Sequence, residues 1–409
     1  MELITRFGAP TLNRGCGTIS NGGAKRLVIS IYIPSLLVQI ALRMSVTFIP
    51  LYALDLGAGI FMTGLIVMAK SLGAMIFNLP AGFMIGKRKS LPFMLTGLAG
   101  IFLATLMRGL APTPLLLLIA SFFLGIAYTL WDLTRLTYIR NNVPMKYRGR
   151  ILSGMGGLFR LSRIIGPAIG GILISRKGYS SMFYFQAILV LLALISIAVM
   201  LPRGKKITSS SSNEPLSYLK DHISSNRRNI TAALVGIIGI SILRVARDFI
   251  LPLWADNIGL TLTVLGMATS SAALVEFLLF FPAGWIMDNL GRKWAIFPAS
   301  VIMAVGFLLL PLTAALPGFF AVMVLINLGN GLGSGINMTL GTDLAPSKSP
   351  SQFLGFWRFF SDGAMAVGPV IIGAISKGMS LSISPIIIGL FGFSTAAYIL
   401  KFMDRMKHH

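Results

Sequence analysis

Thirteen ionisable side chains sit inside, or at the edges of, long apolar stretches of this chain. The basic ones are Arg43, Lys70, Arg135, Arg160, Arg163, Arg244, Arg247 and Arg358; the acidic ones are Asp132, Asp248, Glu276, Asp343 and Asp362. In hydrocarbon each would cost roughly 3 kcal/mol at a lipid-facing helix centre, and the set on the order of 40 kcal/mol, more than any fold can carry. They must face one another, a water-filled cavity or the headgroups. Two chemistries suit such groups. Carboxylates in low dielectric have raised pKa values and can exchange protons near neutrality. Glu276, Asp248, Asp132 and Asp362 are the candidates for that role. Arginines at mid-depth suit bidentate binding of phosphate or carboxylate. Arg43, Arg160, Arg163, Arg244, Arg247 and Arg358 are the candidates for lining a substrate cavity, with Arg43 clamping an anion beside Arg244 or Arg247.

Spacing sorts these charges. Asp132 and Arg135 are three apart; Arg244 and Asp248, like Arg358 and Asp362, are four apart. Each such pair can meet on one helix face. Arg160, Arg163 and Glu276 lie deep in their stretches with no opposite charge within four positions. A partner for Glu276 must therefore come from another helix, and Lys70, Arg160 and Arg163 are the candidates.

The elements that position these groups follow from composition. The chain has 409 residues, 55% of them hydrophobic and only 11% charged, with mean hydropathy +0.82. That excludes a soluble globular protein. Twelve apolar stretches approach the ~20 residues a bilayer requires. They cover about 28–50, 60–84, 91–110, 114–140, 150–174, 180–201, 230–254, 262–286, 293–316, 318–342, 352–376 and 382–402. The fold class is an all-α polytopic membrane protein. Of the 35 Lys and Arg, 23 fall in or at the edges of the N-terminal tail, the even-numbered loops and the C-terminal tail, against Arg176, Lys177 and Lys377 in the odd ones. The positive-inside rule then puts both termini in the cytoplasm and the protein in the cell membrane, in contact with lipid. The net charge of +23 points to no nucleic acid, because it is spent in short loops beside apolar spans. The first apolar run is too long for a signal peptide and reads as a retained span. Cys16 is the sole cysteine, so no intramolecular disulfide forms, and no histidine lies in a span, which argues against a metal site. Gly331 to Gly335 lacks the lysine of a phosphate-binding loop and reads as a close-packing helix face. No cofactor, no ATP and no enzymatic chemistry is expected. His408 and His409 are left out of the functional argument.

Glycine and proline recur at a constant offset of 202. Pro50 matches Pro252, Gly57 matches Gly259, and Gly64 matches Gly266. Pro144 matches Pro346, and Gly166, Pro167 and Gly171 match Gly368, Pro369 and Gly373. Such residues are tied to backbone shape, so the chain reads as two parallel six-helix repeats. The expected organisation is a cytoplasmic tail over 1–27, an N-terminal half over 28–201, a cytoplasmic linker over 202–229, a C-terminal half over 230–404 and a tail over 405–409. Gly166 and Gly170 share a helix face that lets a second helix approach closely, with Pro167 tolerated because lipid offers the backbone no alternative partner.

Three features resemble the major facilitator superfamily over about residues 27 to 402. One is the parallel twelve-span repeat itself. Another is Gly284-Trp285-Ile286-Met287-Asp288-Asn289-Leu290-Gly291-Arg292-Lys293, similar to the family's loop signature between helices two and three of each half. The third is Gly166-Pro167-Ala168-Ile169-Gly170-Gly171, similar to the antiporter signature of the drug-efflux branch. The resemblance implies that Asp288, Arg292 and Lys293 stabilise a cytoplasmic gate. It also implies alternating access and proton-coupled export of small amphipathic or drug-like molecules, by a monomer whose partners are that substrate and protons. Transport or exchange of small organic or phosphorylated anions is the alternative. The chain departs from the pattern in two places. The first-half copy of the loop, Gly82-Phe83-Met84-Ile85-Gly86-Lys87-Arg88-Lys89, has Gly86 at its acidic position. The branch's span-four arginine, four residues before a glycine, is Ser121 before Gly125.

Overall fold

A computed structural model describes residues 21–85, 90–143, 145–201, 216–346 and 350–403. Cys16, Gly86 to Lys89 of the first-half loop, Pro144, residues 202–215 of the linker and the tail with His408 and His409 lie outside the described residues. Every regular element among the described residues is a helix. In order these are α1 (Asn21–Val46), α2 (Ile49–Asp55), α3 (Ile60–Ile85), α4 (Ser90–Gly109), α5 (Pro114–Asn142), α6 (Met145–Met200), α7 (Leu216–Ser225) and α8 (Arg227–Asn257). Then follow α9 (Leu262–Leu278), α10 (Phe280–Asn289), α11 (Lys293–Leu309), α12 (Leu316–Leu332), α13 (Ile336–Asp343), α14 (Pro350–Gly378) and α15 (Ile383–Phe402).

Among the described residues, ten helical stretches are long and apolar enough to cross a membrane, and the bent pair α1–α2, angled by 49°, makes an eleventh. Pro50 starts α2 at a position where its missing N–H costs nothing. The 56 residues of α6 are two spans in one, broken at Gly178, whose φ of 77° a residue with a Cβ rarely adopts. Each part is long enough to cross alone, which restores the twelve spans. Gly57 and Gly259, 202 apart, both turn the chain with positive φ after the first span of their repeat.

The two halves close against each other at the face opposite the basic loops. There α2 meets α8, α3 meets α14 and α6 meets α9. Glycines make these crossings possible. A Cβ on Gly64 would lie 2.5 Å from the carbonyl oxygen of Pro369, and one on Gly373 would lie 2.9 Å from that of Ile60. The repeat partners make the mirror contacts: Gly266 abuts the carbonyl of Pro167, and Gly171 that of Leu262. One apolar core spans both halves at this face, from Phe48 and Tyr52 to Phe249, Trp254 and Phe319. At the basic face the core divides. One cluster, around Trp131, Tyr138 and Leu98, belongs to α1 and α4–α6, and a second, around Phe353, Trp357 and Ile296, to α8 and the helices after it.

Gly166 and Gly170 do lie on a close-packing face, but the helix against it is α1 of the same repeat. Their Cβ positions would meet Arg43 Cβ at 2.8 Å and the Met44 carbonyl oxygen at 2.7 Å. The crossing between halves falls to Pro167 and Gly171. Part of the linker is the helix α7. His222 Nε2 of α7 lies 3.0 Å from the carbonyl oxygen of Leu344, and its ring meets Phe353 edge-on at 5.9 Å.

Candidate functional site

The deep charges converge where α6, α8, α9 and α12 meet. Glu276 sits in the last turn of α9, midway along the span Leu262–Asn289 that α9 and α10 form, and is 8% exposed. Its Oε1 accepts from Arg163 Nη1 at 2.6 Å, and its Oε2 accepts from Arg247 Nη1 at 3.1 Å. Arg163 belongs to the first repeat and Arg247 to the second, so one carboxylate joins the halves near mid-depth. Arg247 also donates to Asp248 Oδ1 from Nη2 at 2.7 Å and from Nε at 2.9 Å, and to Asn327 Oδ1 at 3.2 Å. Such saturation is what a buried guanidinium requires.

Arg160, one turn nearer the basic face, lies with its guanidinium 3.6 Å from the ring centroid of Phe280 and donates to Ser334 Oγ at 3.2 Å. Both partners are in the other half, at the breaks between α9 and α10 and between α12 and α13. On the other side of Glu276 a cavity opens, lined by Arg43, Thr47, Asp248, Leu251 and Met323 together with the charged centre. Arg43 forms no ion pair among the described residues.

Local spacing predicted some partners wrongly. Arg244 does not pair with Asp248. It donates from Nε to Asn330 Oδ1 at 2.8 Å and from Nη2 to the carbonyl of Gly333 at 2.6 Å. Asp248 is taken by its neighbour Arg247, whose fork reaches it directly. The anion clamp of Arg43 with Arg244 or Arg247 is therefore not free, because both second-half arginines are engaged. Arg358 and Asp362 also form no ion pair among the described residues: Arg358 is exposed, and Ser361 Oγ lies 3.5 Å from Asp362 Oδ1. Neither joins the central cluster. Asp132 does bond Arg135, within their own helix and away from Glu276. Arg135 is buried between the rings of Trp131 and Phe159 at 5.7 and 5.1 Å.

At the basic face Arg292, 2% exposed, donates to Asp288 Oδ1 at 2.9 Å and to Asp343 Oδ2 at 2.8 Å. It fastens the loop after α10 to the end of α13. Lys293 leaves this cluster. Its Nζ donates to the carbonyl of Leu400 at 2.6 Å, at the C-terminal end of α15, where a cation meets unsatisfied carbonyls.

Sequence reasoning missed the acceptors: Asn327, Asn330 and Ser334 serve three of the central arginines. Their signal was available, since asparagines three apart in an apolar span share a face. It also missed Arg108, which lies within the 91–110 stretch and was not among the candidates. That residue is buried, with its guanidinium 5.1 Å from the ring centroid of Phe183.

Two pseudo-equivalent helical halves, joined at one face and linked by charge at mid-depth, define a membrane transporter that works between its halves. The sequence matches the Major Facilitator Superfamily over residues 31–262 and 247–409, and the chain belongs to that family. It is a secondary transporter of small molecules and not an enzyme. It is similar to an uncharacterized MFS-type transporter of Methanocaldococcus jannaschii, 23% identical over 368 residues, covering 88% of this chain and 94% of that one. It is also similar to sugar efflux transporter A of Escherichia coli, 27% identical over 232 residues, 55% of this chain and 56% of that one. Among solved structures, a bacterial homologue of the human lysosomal transporter Spinster in an inward-facing, occupied state superposes with TM-score 0.79. Its identity is 12%, with coverage of 93% of this chain and 97% of that one. A D-xylose–proton symporter gives 0.76 at 14% identity, with coverage of 93% and 98%.

Proposed function

We propose that this chain is a proton-coupled exporter of small amphipathic molecules, working as a monomer in the cell membrane with both termini cytoplasmic. The observation that carries the reading is the Glu276 carboxylate, held by Arg163 from one half and Arg247 from the other. Rocking of the halves changes which of these guanidiniums stays in reach. A carboxylate that loses a counter-ion in a low-dielectric cleft takes up a proton, and one that regains it releases the proton. One such exchange per cycle couples transport to the proton gradient. The cytoplasmic assignment follows the basic loops. In that orientation the closed apolar core lies at the outer face, and the Asp288–Arg292–Asp343 cluster at the inner one. Breaking that cluster shifts the balance between inward- and outward-open states, because it exists only where α10 and α13 stay together. Similarity to a sugar efflux transporter supports the outward direction. The halves over 28–201 and 230–404 are then the moving bodies, with 202–229 as their cytoplasmic connection.

The test is reconstitution in liposomes with an imposed pH gradient, using a panel of cationic dyes, organic anions and sugars. Gradient-dependent accumulation of a panel member, abolished by a protonophore, is the expected result. Transport indifferent to the gradient would reject proton coupling.

A further inference from the structure

Two deep cations of the first half have no acid bonded to them among the described residues. Glu276 and Asp248 are already bonded by Arg163 and Arg247. Asp132 is bonded by Arg135. Arg43 on α1 and Lys70 on α3 form no ion pair among the described residues. They are electrostatic neighbours of each other. Arg43 and Arg108, both cations, act on Lys70, whereas Arg43 also feels Arg163 and the already bonded acids Asp248 and Glu276, and Tyr128 feels Asp132. Lys70 Nζ lies 5.3 Å from the ring centroid of Tyr128 on α5. The Tyr128 oxygen accepts a hydrogen bond from Gln39 Nε2 at 3.1 Å, which fixes the phenol and leaves its O–H free to donate. Lys70 and Tyr128 thus meet beside α1, and neither Lys70 nor its electrostatic neighbour Arg43 has an ion-pair partner among the described residues. Arg43 carries this group to the cavity, whose other walls include the apolar Val46, Leu251 and Met323. Ionisable residues within spans that lack a fixed partner mark substrate or ion pathways.

We propose that Arg43, Lys70 and Tyr128 bind the oxyanion of the transported molecule, a carboxylate or phosphate, with its apolar body against Val46, Leu251 and Met323. Gln39 is the positioning residue for Tyr128. The inference rests on the transporter reading, whose substrate it narrows from amphipathic molecules in general to amphipathic anions. It differs from a clamp of Arg43 with Arg244 or Arg247, both of which are occupied. It leaves the proton to Glu276.

The test uses binding, so that it does not depend on coupling. The full chain in detergent is titrated with benzoate and phenyl phosphate, and with benzamide and benzylammonium as matched neutral and cationic probes, while its thermal unfolding is followed. At least one of the two anions should raise the melting temperature, with benzamide and benzylammonium without effect. Stronger stabilisation by benzoate or by phenyl phosphate assigns the carboxylate or the phosphate. Lys70→Gln and Arg43→Gln should each weaken that anion about tenfold or more, and Lys70→Arg should restore most of the loss. Tyr128→Phe should weaken it less, and Gln39→Leu less again. Equal response to all four probes, no response to either anion, or an anion response unchanged in Lys70→Gln and Arg43→Gln would overturn the proposal. Anion binding without gradient-driven transport would reject only the proton-coupled reading.

Discussion

The glycine crossings at the outer face and the charged centre at mid-depth obey different rules. The crossings are repeated: Gly64 on Pro369 answers Gly266 on Pro167, and Gly373 on Ile60 answers Gly171 on Leu262. Every residue in these contacts has its counterpart 202 positions away. The charged centre is not repeated. Positions offset by 202 from Glu276, Arg163, Arg247 and Arg43 hold Ala74, Met365, Ser45 and Val245. The Asp288–Arg292–Asp343 cluster likewise corresponds to Gly86, Ser90 and Asn141. Backbone shape is what two rocking halves must share, and close helix approach without a Cβ supplies it at both crossings. Chemistry needs one site, and divergence of the repeats has placed its acid on one side and cations on both.

The largest expected effect on transport comes from breaking the shared part. Gly171→Leu and Gly373→Leu should each abolish transport and lower thermal stability, since the side chain would enter a neighbouring backbone. Overpacking of this kind costs about 1–3 kcal/mol or more. The two variants should behave alike in a thermal unfolding assay, whereas Gly363→Leu, with no atom within 4 Å of its Cβ position, should stay near wild type. Unequal outcomes for the first two would break the symmetry argument.

Next comes the charged centre, where the halves should respond unequally. Glu276→Leu leaves two deep guanidiniums short of a counter-ion, and breaking a buried pair from one side costs about 3–5 kcal/mol. The lower end applies here, because the Arg163 side chain is 28% exposed. Ala74→Leu, at the counterpart position, should cost far less. Comparison of the two unfolding temperatures checks this.

A smaller effect belongs to the basic face. Arg292→Gln removes donors from Asp288 and Asp343 together and should slow transport several-fold while expression holds. Labelling of single cysteines introduced near α10 and α13 should rise on the cytoplasmic side. Unchanged labelling would remove the gating role. The smallest effect is expected at Arg358 and Asp362. Without an ion pair between them, Arg358→Gln should change stability by no more than about 0.5 kcal/mol, as read from the unfolding midpoint.

The two rules also explain what could be read in advance. Helical spans and the repeat were legible because hydropathy and the Gly/Pro spacing report directly on lipid exposure and backbone shape. Glu276 was legible as a residue needing a partner from another helix, since its own helix offers none. Its two partners were not equally so. Arg163 was among the candidates, while Arg247 had been assigned to other roles. The i,i+4 rule misled at Arg244 and at Arg358 because it describes isolated helices. In a bundle, the neutral acceptors Asn330 and Gly333 of α12 and the turn after it compete for Arg244 and win. Glycine faces showed the same limit. Spacing identified a close approach at Gly166 and Gly170, and only the packing of helices showed that α1 fills it.

The central claim is that Glu276, shared between halves, carries the coupled proton. The direct measurement compares wild type and Glu276→Gln in liposomes, with and without an imposed pH gradient. Glutamine keeps the size and mimics the protonated acid. The account predicts that Glu276→Gln retains substrate exchange at zero gradient and loses gradient-driven accumulation. Accumulation at the wild-type level in Glu276→Gln would contradict it and move the proton to Asp248, Asp132 or Asp362.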